Sequence, residues 1–265
     1  MITIGERINS SRPSINKAIA SRDSNFIQSE AIGQLEAGAD YIDVNAGTFY
    51  KEEENHLEWV IHTVQSVTEK PLCIDTVNPI ALMNGLKIHK GKALVNSISM
   101  ESERLKSFLP IIKNYPCRVI GLGLDDSGPP TSVKDKVKIS DSLINLLVQE
   151  GFALTDIFID PLVHAISTDK NAALATLESI KIIREMHSEV NIICGVSNVS
   201  FGLPDRRNLN QIFLALAMSV GLNSAIIDPT DKGMITAQKC AEALMGQDEY
   251  CVGYLSNYRK SLGKA

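Results

Sequence analysis

Short apolar runs and longer amphipathic stretches alternate along the whole chain. The apolar runs are ITIGERIN, DYIDVNAG, PLCIDT, ALVNS, CRVIGLGLDD, DIFIDP, IICGVSN and NSAIIDP. They are rich in β-branched residues and bounded by turn formers, the pattern of buried strands. Between them, SNFIQSEAIGQLEAG, HLEWVIHTVQSV, PIALMNGLKI and SERLKSFLPIIK carry apolar residues three and four apart. VKISDSLINLLVQEG, AALATLESIKIIREM, LNQIFLALAMSVG and ITAQKCAEALM do the same in the second half. That spacing puts one apolar face on each helix. Strand–helix alternation implies parallel strands joined by right-handed crossovers. Eight units in 265 residues predict a (β/α)8 TIM barrel, a single domain over 1–265, with a doubly wound open sheet as the alternative.

Several stretches refine this picture. Residues 191–196 read as a strand that stops on Ser197-Asn198, passes a Gly/Pro turn and enters a helix near Asp205. DDSGPPTSVKDK (125–136) reads as the longest loop without structure of its own, either a functional cover or a mobile connection. GLGLDDSG is no dinucleotide fingerprint, because its glycines are wrongly spaced and Pro-Pro follows where a helix should start. VGYLSNYRKSLGKA, basic and partly apolar, reads as a final helix or a frayed end.

Each strand closes on a polar residue: Asn9, Asp43 with Asn45, Asp75, Asn96, Asp125, Asp160, Asn198 and Asp228. In a barrel these tips converge on one mouth, where chemistry is housed. Taken singly, Asp or Asn at a strand end is as readily a turn former. Together they predict a ring of carboxylates and amides with few cations. Such a ring suits either a metal or a small ligand rich in N–H donors. No metal site is expected, since the five histidines fall mostly in helices or loops. His164, nearest the mouth, reads as a loop residue. A 2-amino-4-oxo pyrimidine edge fits better, because one carboxylate accepts from its ring N–H and its exocyclic amine together. Asp75 or Asp160 can do this, and Asn96 can both donate and accept.

Composition narrows the classes further. Hydrophobic content of 44% with 22% charged residues is that of an ordinary soluble protein. A net charge of −5 leaves no electrostatic footprint for nucleic acid. No apolar run reaches the roughly 18–20 residues needed to cross a membrane. MITIGERIN lacks the basic and apolar regions of a secretory signal, so the Asn198-Val199-Ser200 sequon has no secretory context. The five cysteines are odd in number, spread out and without a C-x-x-C pair. They point to a reducing cytoplasm rather than a metal or disulfide framework.

IGERIN, LCIDT with Asp75, LVNS with Asn96, IDP with Asp160 and GVSNVSFGLPDR together resemble the pterin-binding barrels of methyltetrahydrofolate methyltransferases. The likeness runs nearly end to end. It is strongest to the methyltetrahydrofolate:corrinoid protein methyltransferases and to the folate domain of cobalamin-dependent methionine synthase. The resemblance implies that Asp75, Asn96 and Asp160 hold the pterin and that Asn198 reaches its methyl-bearing nitrogen 5. Gly195, Ser197 and Arg206 would line the same pocket. It implies methyltetrahydrofolate as substrate, cobalt of a corrinoid (cobalamin) as the other methyl carrier, and a homodimer. No D-x-H-x-x-G cobalamin motif occurs in the chain, so the corrinoid is expected on a separate corrinoid protein. Phe201 stands where the corrinoid iron–sulfur branch has Gln, as in methionine synthase, which leaves the partner open. Dihydropteroate synthases, sharing the architecture, carry Ser-Arg-Lys where this chain has Ser197-Asn198-Val199. A synthase and a non-catalytic folate-binding subunit remain the alternatives. No His or Lys stands out as a general acid, so the proton for nitrogen 5 is expected from solvent with help from Asn198.

Overall fold

A computed structural model describes residues 1–262. Its strands are β1 (Ile2–Asn9), β2 (Tyr41–Asn45), β3 (Leu72–Asp75), β4 (Ala93–Met100), β5 (Cys117–Asp125), β6 (Ile157–Asp160), β7 (Asn191–Gly195) and β8 (Ser224–Ile227). They pair in parallel in chain order, and β8 returns to β1, with Ile2 opposite Ser224 and Gly5 opposite Ile227. That last ladder closes the barrel and removes the open-sheet alternative, which would leave two edges unpaired. Around it lie α1 (Pro13–Ala20), α2 (Ser24–Glu36), α3 (Glu53–Gln65), α4 (Pro79–Ile88) and α5 (Ser102–Lys113). The ring continues with α6 (Val133–Gln149), α7 (Ala172–Met186), α8 (Arg206–Ser219), α9 (Lys232–Leu244) and α10 (Val252–Ser261).

Two apolar layers follow from the pleat, since neighbouring residues on a strand face opposite ways. Outward residues such as Ile42, Val44, Ile74 and Val95 pack under helix residues such as Ile27, Leu57, Ile61 and Leu82. Inward, Ile4, Tyr41, Cys73, Leu94, Ile120, Phe158 and Ile193, from seven different strands, fill the barrel. Below them the Arg118 guanidinium donates to the Tyr41 hydroxyl at 2.7 Å and pairs with Asp156, which also takes Lys92 at 2.6 Å. This polar plug closes the base. At the base α6 stops at Gly151, whose φ of +96° suits a residue without Cβ.

Stepping two residues on from six of these seven side chains reaches the mouth at Glu6, Asp43, Asp75, Asn96, Asp160 and Gly195, and from Ile120 at Leu122. Register shifts between Gly5 and Ile8, and again between Asn96 and Ile98, mark bulges at this end. The first turns Ile8 outward into the helix layer and frees the Arg7 N–H, which the buried Gln34 side chain accepts at 3.0 Å.

Two elements differ from the pattern-based expectation. The short α1 is additional, begun by Pro13 and buried through Ile15, Ala18 and Ile19. The loop expected over 125–136 is shorter, because α6 starts at Val133. Ser132 accepts the Asp135 N–H at 3.1 Å and returns a hydroxyl bond to its carboxylate at 2.7 Å. That cap recruits a polar first turn that hydropathy leaves out. The C-terminal stretch does form a helix, α10, while residues 263–265 of it lie outside the described residues. No described helix is long and apolar enough to cross a membrane.

Candidate active site at the barrel mouth

The mouth is built from acids that the strand period turns inward and burial then starves of water. Asp43 is the deepest, 3% exposed. Burial, and next the charge of Asp75, push its carboxyl well above the usual range. Asp75 is raised to about 6, mainly by burial, although Asn45 Nδ2 donates to it at 3.0 Å. Asn45 is fixed in turn by the Ser10 hydroxyl at 3.0 Å. The Asn96 amide leans toward Asp43 at 3.5 Å, so β2, β3 and β4 present one cluster of Asp43, Asp75 and Asn96.

Asp160 stands beyond them on β6, 8% exposed and raised to about 6 by burial. The backbone N–H groups of Leu162, 2.8 Å from Oδ1, and of Gly195 work against that shift, as does the charge of Lys136. Asp75, Asn96, Asp160 and Gly195 are therefore brought to one level of the barrel.

Asn198 is not on the strand. β7 ends at Gly195 and runs into a single 3-10 turn, Val196–Ser200, whose buried Val196 and Val199 hold it down while Asn198 is exposed. The carboxamide folds back over Gly195: a Cβ there would lie 3.1 Å from Asn198 Nδ2. Arg206, the first residue of α8, clamps the same turn. It donates to the Ser197 carbonyl at 2.5 Å and to the Ser200 hydroxyl at 3.0 Å. Ser200 donates to the buried Asn210 carboxamide at 2.6 Å. Ser197 contributes its carbonyl to this clamp, and Arg206 braces the turn besides standing beside the pocket.

Other tip residues serve local structure. Asn9 accepts the Ser11 N–H and hydroxyl, and Asp125 does the same for Ser127. Asp228 accepts from Thr230 and from Arg7, which also pairs with Glu30 at 2.7 Å. These are the turn-forming roles that Asp and Asn fill at strand ends. His164 lies in the loop after β6, its Nε2 2.9 Å from the Pro130 carbonyl.

Glu6 and Lys136 bring charge to or behind the mouth that polarity at the strand tips does not reveal. Glu6 lies on β1 in phase with inward Ile2 and Ile4, a phase the sequence displays. Burial and the charge of Asp228 raise it to about 7, against Arg12 and Arg206. Lys136 is buried in the wall behind Asp160. It falls on the α6 stripe of Ile139, Leu143, Ile144 and Leu147, although its KDKVK setting reads as solvated. The expectation of a mouth with few cations needs correcting accordingly. Arg12 and Arg206 act on Glu6, Arg104 acts on Asp75, and Lys136 acts on Asp160. Alternation along strands could not show them, because all four come from helices and loops. Among the described residues no cluster of three or more His, Cys, Asp or Glu is arranged to hold a metal.

Acceptors on β2, β3, β4 and β6 thus face one another at the mouth, with the Asn198 carboxamide on the β7 side. Residues 5–228 match the family described as pterin binding enzyme. The chain is 38% identical over 262 residues to a methylcorrinoid:tetrahydrofolate methyltransferase of Eubacterium limosum, covering 98% of this chain and 97% of that one. It is 25% identical over 240 residues to methionine synthase of Mycobacterium tuberculosis, covering 86% of this chain and 20% of that protein. In fold it is similar to dihydropteroate synthase of Xanthomonas albilineans solved with 7,8-dihydropteroate, with a TM-score of 0.69, 17% identity and 92% of each chain covered. The Burkholderia cenocepacia synthase gives a TM-score of 0.71 at 18% identity over 94% of this chain and 93% of that one. At such identities the likeness to the synthases is one of architecture.

Proposed function

Since the chain belongs to the family of pterin-binding enzymes, we propose that it is a methyltransferase acting between nitrogen 5 of methyltetrahydrofolate and the cobalt of a corrinoid on a separate protein. The observation that carries this reading is the position of Asn198. Its carboxamide lies over the mouth, beside Gly195, and makes no side-chain hydrogen bond among the described residues. Binding a pterin would need only the acids beneath it.

Asp75 and Asp160 would each accept from the amino-pyrimidine edge, with Asn96 completing it. At pH 7 carboxyls titrating near 6 are mostly ionised and can accept two N–H donors. Reduced corrinoid supplies the nucleophilic cobalt. In transfer to it, the N5–methyl bond breaks, its electron pair stays on nitrogen 5, and that nitrogen must gain a proton. Asn198, hydrogen-bonding nitrogen 5, would strengthen its bond as charge develops there, which speeds the chemical step more than it aids binding. The reverse transfer uses the same contacts, and net direction follows the partner. Exposed Phe201 and Tyr50 border the mouth, in keeping with a large planar cofactor approaching on its protein carrier.

Absence of the synthase cations at Ser197-Asn198-Val199 speaks against dihydropteroate synthesis. The test is anaerobic incubation with methyltetrahydrofolate and cob(I)alamin, followed by the absorbance of methylcobalamin. Condensation of p-aminobenzoate with a pterin pyrophosphate instead would overturn the proposal in favour of a synthase. Tight folate binding with no turnover toward any corrinoid would make the chain a binding subunit. Asp160→Asn should weaken methyltetrahydrofolate binding in titration calorimetry, and unchanged affinity would remove Asp160 from the pocket. A homodimer in the cytoplasm is the assembly and setting proposed with this activity. Analytical ultracentrifugation tests the first.

A further inference from the structure

The buried stripe of α6 begins with a lysine. Lys136 is fully buried, and its Nζ donates to the Pro161 carbonyl at 2.9 Å and to the Leu162 carbonyl. Both carbonyls belong to the turn that follows β6. Leu162 sits there at φ +63°, a conformation costly for a residue with a Cβ. Its N–H donates back to Asp160 Oδ1 at 2.8 Å. One strained turn is thus held by an ammonium on one side and a site carboxylate on the other.

A buried ammonium loses its hydration, and a turn alone could be held by a neutral donor. The charge therefore asks for an explanation. The titratable groups facing Lys136 are Asp160 on β6, Cys194 on β7 and His164 in the β6–α7 loop. Burial pushes the Cys194 thiol well above its usual range, so it stays neutral. His164 is held below its ordinary value by burial first and by Lys136 second, so it too is neutral at pH 7. Asp160 is the one anion opposite.

We propose that Lys136 is a positioning residue for the pterin: from inside the wall it fixes the Pro161–Leu162 turn and supplies the positive charge that keeps Asp160 an acceptor. This rests on the mouth being a pterin site. Burial brings Lys136 down to about 8 and Asp160 up to about 6, so both are charged between those values. Without the lysine charge Asp160 titrates higher, so that near pH 7 a large share of it is the neutral carboxylic acid. That form can no longer accept from both N–H groups of the ligand.

The experiment measures methyltetrahydrofolate binding by calorimetry from pH 5.5 to 8.5 for the wild type, Lys136→Gln and Lys136→Arg. Glutamine removes the charge and keeps an N–H donor, though one atom shorter, for the turn. Wild-type affinity should fall as pH drops through about 6. The glutamine variant should start to lose affinity about one pH unit higher, binding about threefold more weakly near pH 6.5 and nearly tenfold more weakly at pH 5.5, and converging with the wild type by pH 8.5. Arginine should keep the wild-type midpoint. A glutamine variant weakened equally at every pH, or not weakened at all, would overturn the proposal. If that variant does not fold, Lys136→Arg decides, because a shifted midpoint with the charge retained is incompatible with the assigned role. A wild type that binds no methyltetrahydrofolate would instead overturn the pterin reading of the mouth.

Discussion

Gly195 leaves room at the tip of β7 for one foreign side chain, and Asn198 occupies it. A methyl group at Gly195 would stand 3.1 Å from the carboxamide nitrogen, tighter than most such contacts, so the amide must move. Gly195→Ala is therefore expected to lower kcat about tenfold while leaving folate affinity within a factor of a few. Stopped-flow methyl transfer and calorimetry separate the two, and equal losses in both would assign Gly195 to binding. Asn198→Ala should lower kcat/KM by about two orders of magnitude, in line with losing one transition-state hydrogen bond of about 2.7–4 kcal/mol. Near-normal turnover by a folded variant would remove Asn198 from the chemistry. At this scale the sequence displayed what alternation controls. Asp75, Asn96, Asp160 and Gly195 each lie two residues beyond an inward apolar side chain. Glu6 obeys the same period, although a glutamate beside an arginine in ITIGERIN looks solvent-facing. The pleat sends the two side chains different ways, and Arg7 pairs with Glu30 and Asp228.

Elements decide how firmly these residues are held. The first turn of α6 carries Lys136 and depends on the reciprocal Ser132–Asp135 cap. Ser132→Ala should cost about 1 kcal/mol of stability. Urea unfolding would read this as a lower midpoint with unchanged slope, and a midpoint equal to the wild type would mean the cap is redundant. Turnover at saturating substrate should not change. All eight strands and the eight helices α2 to α9 that alternate with them are legible from period and spacing. What was not legible was local. A short apolar content hid α1, and polar lysines hid the start of α6 inside an apparent loop. Asn198 moved from a strand tip to a 3-10 turn because Val196 and Val199 are both buried, which straight alternation from Ile192 and Cys194 does not anticipate.

Across the whole molecule, a net charge of −5 is less telling than where the acids sit. Several are gathered in the mouth at a cost to the empty fold. Glu6, raised from 4.5 to about 7 by burial first and Asp228 second, illustrates it. A raised carboxyl favours the fold fully below about pH 4.5, and this contribution disappears as pH rises through about 7. Glu6→Gln imitates the protonated form at every pH. It should stabilise the unliganded protein by about 1–2 kcal/mol at pH 8, after allowing for partial exposure, and by nothing measurable at pH 4. Thermal unfolding at both values checks this, and an equal gain at both would assign the effect to packing rather than charge.

The polar plug of Arg118, Tyr41, Lys92 and Asp156 seals the end of the barrel away from every residue assigned to binding or transfer. Anything attached there, a fluorophore at the Gly151 bend or a tether to a solid support, is screened from the reacting edge by the full depth of the barrel. The protein can thus be labelled or anchored from beneath while its open face stays free to receive a carrier.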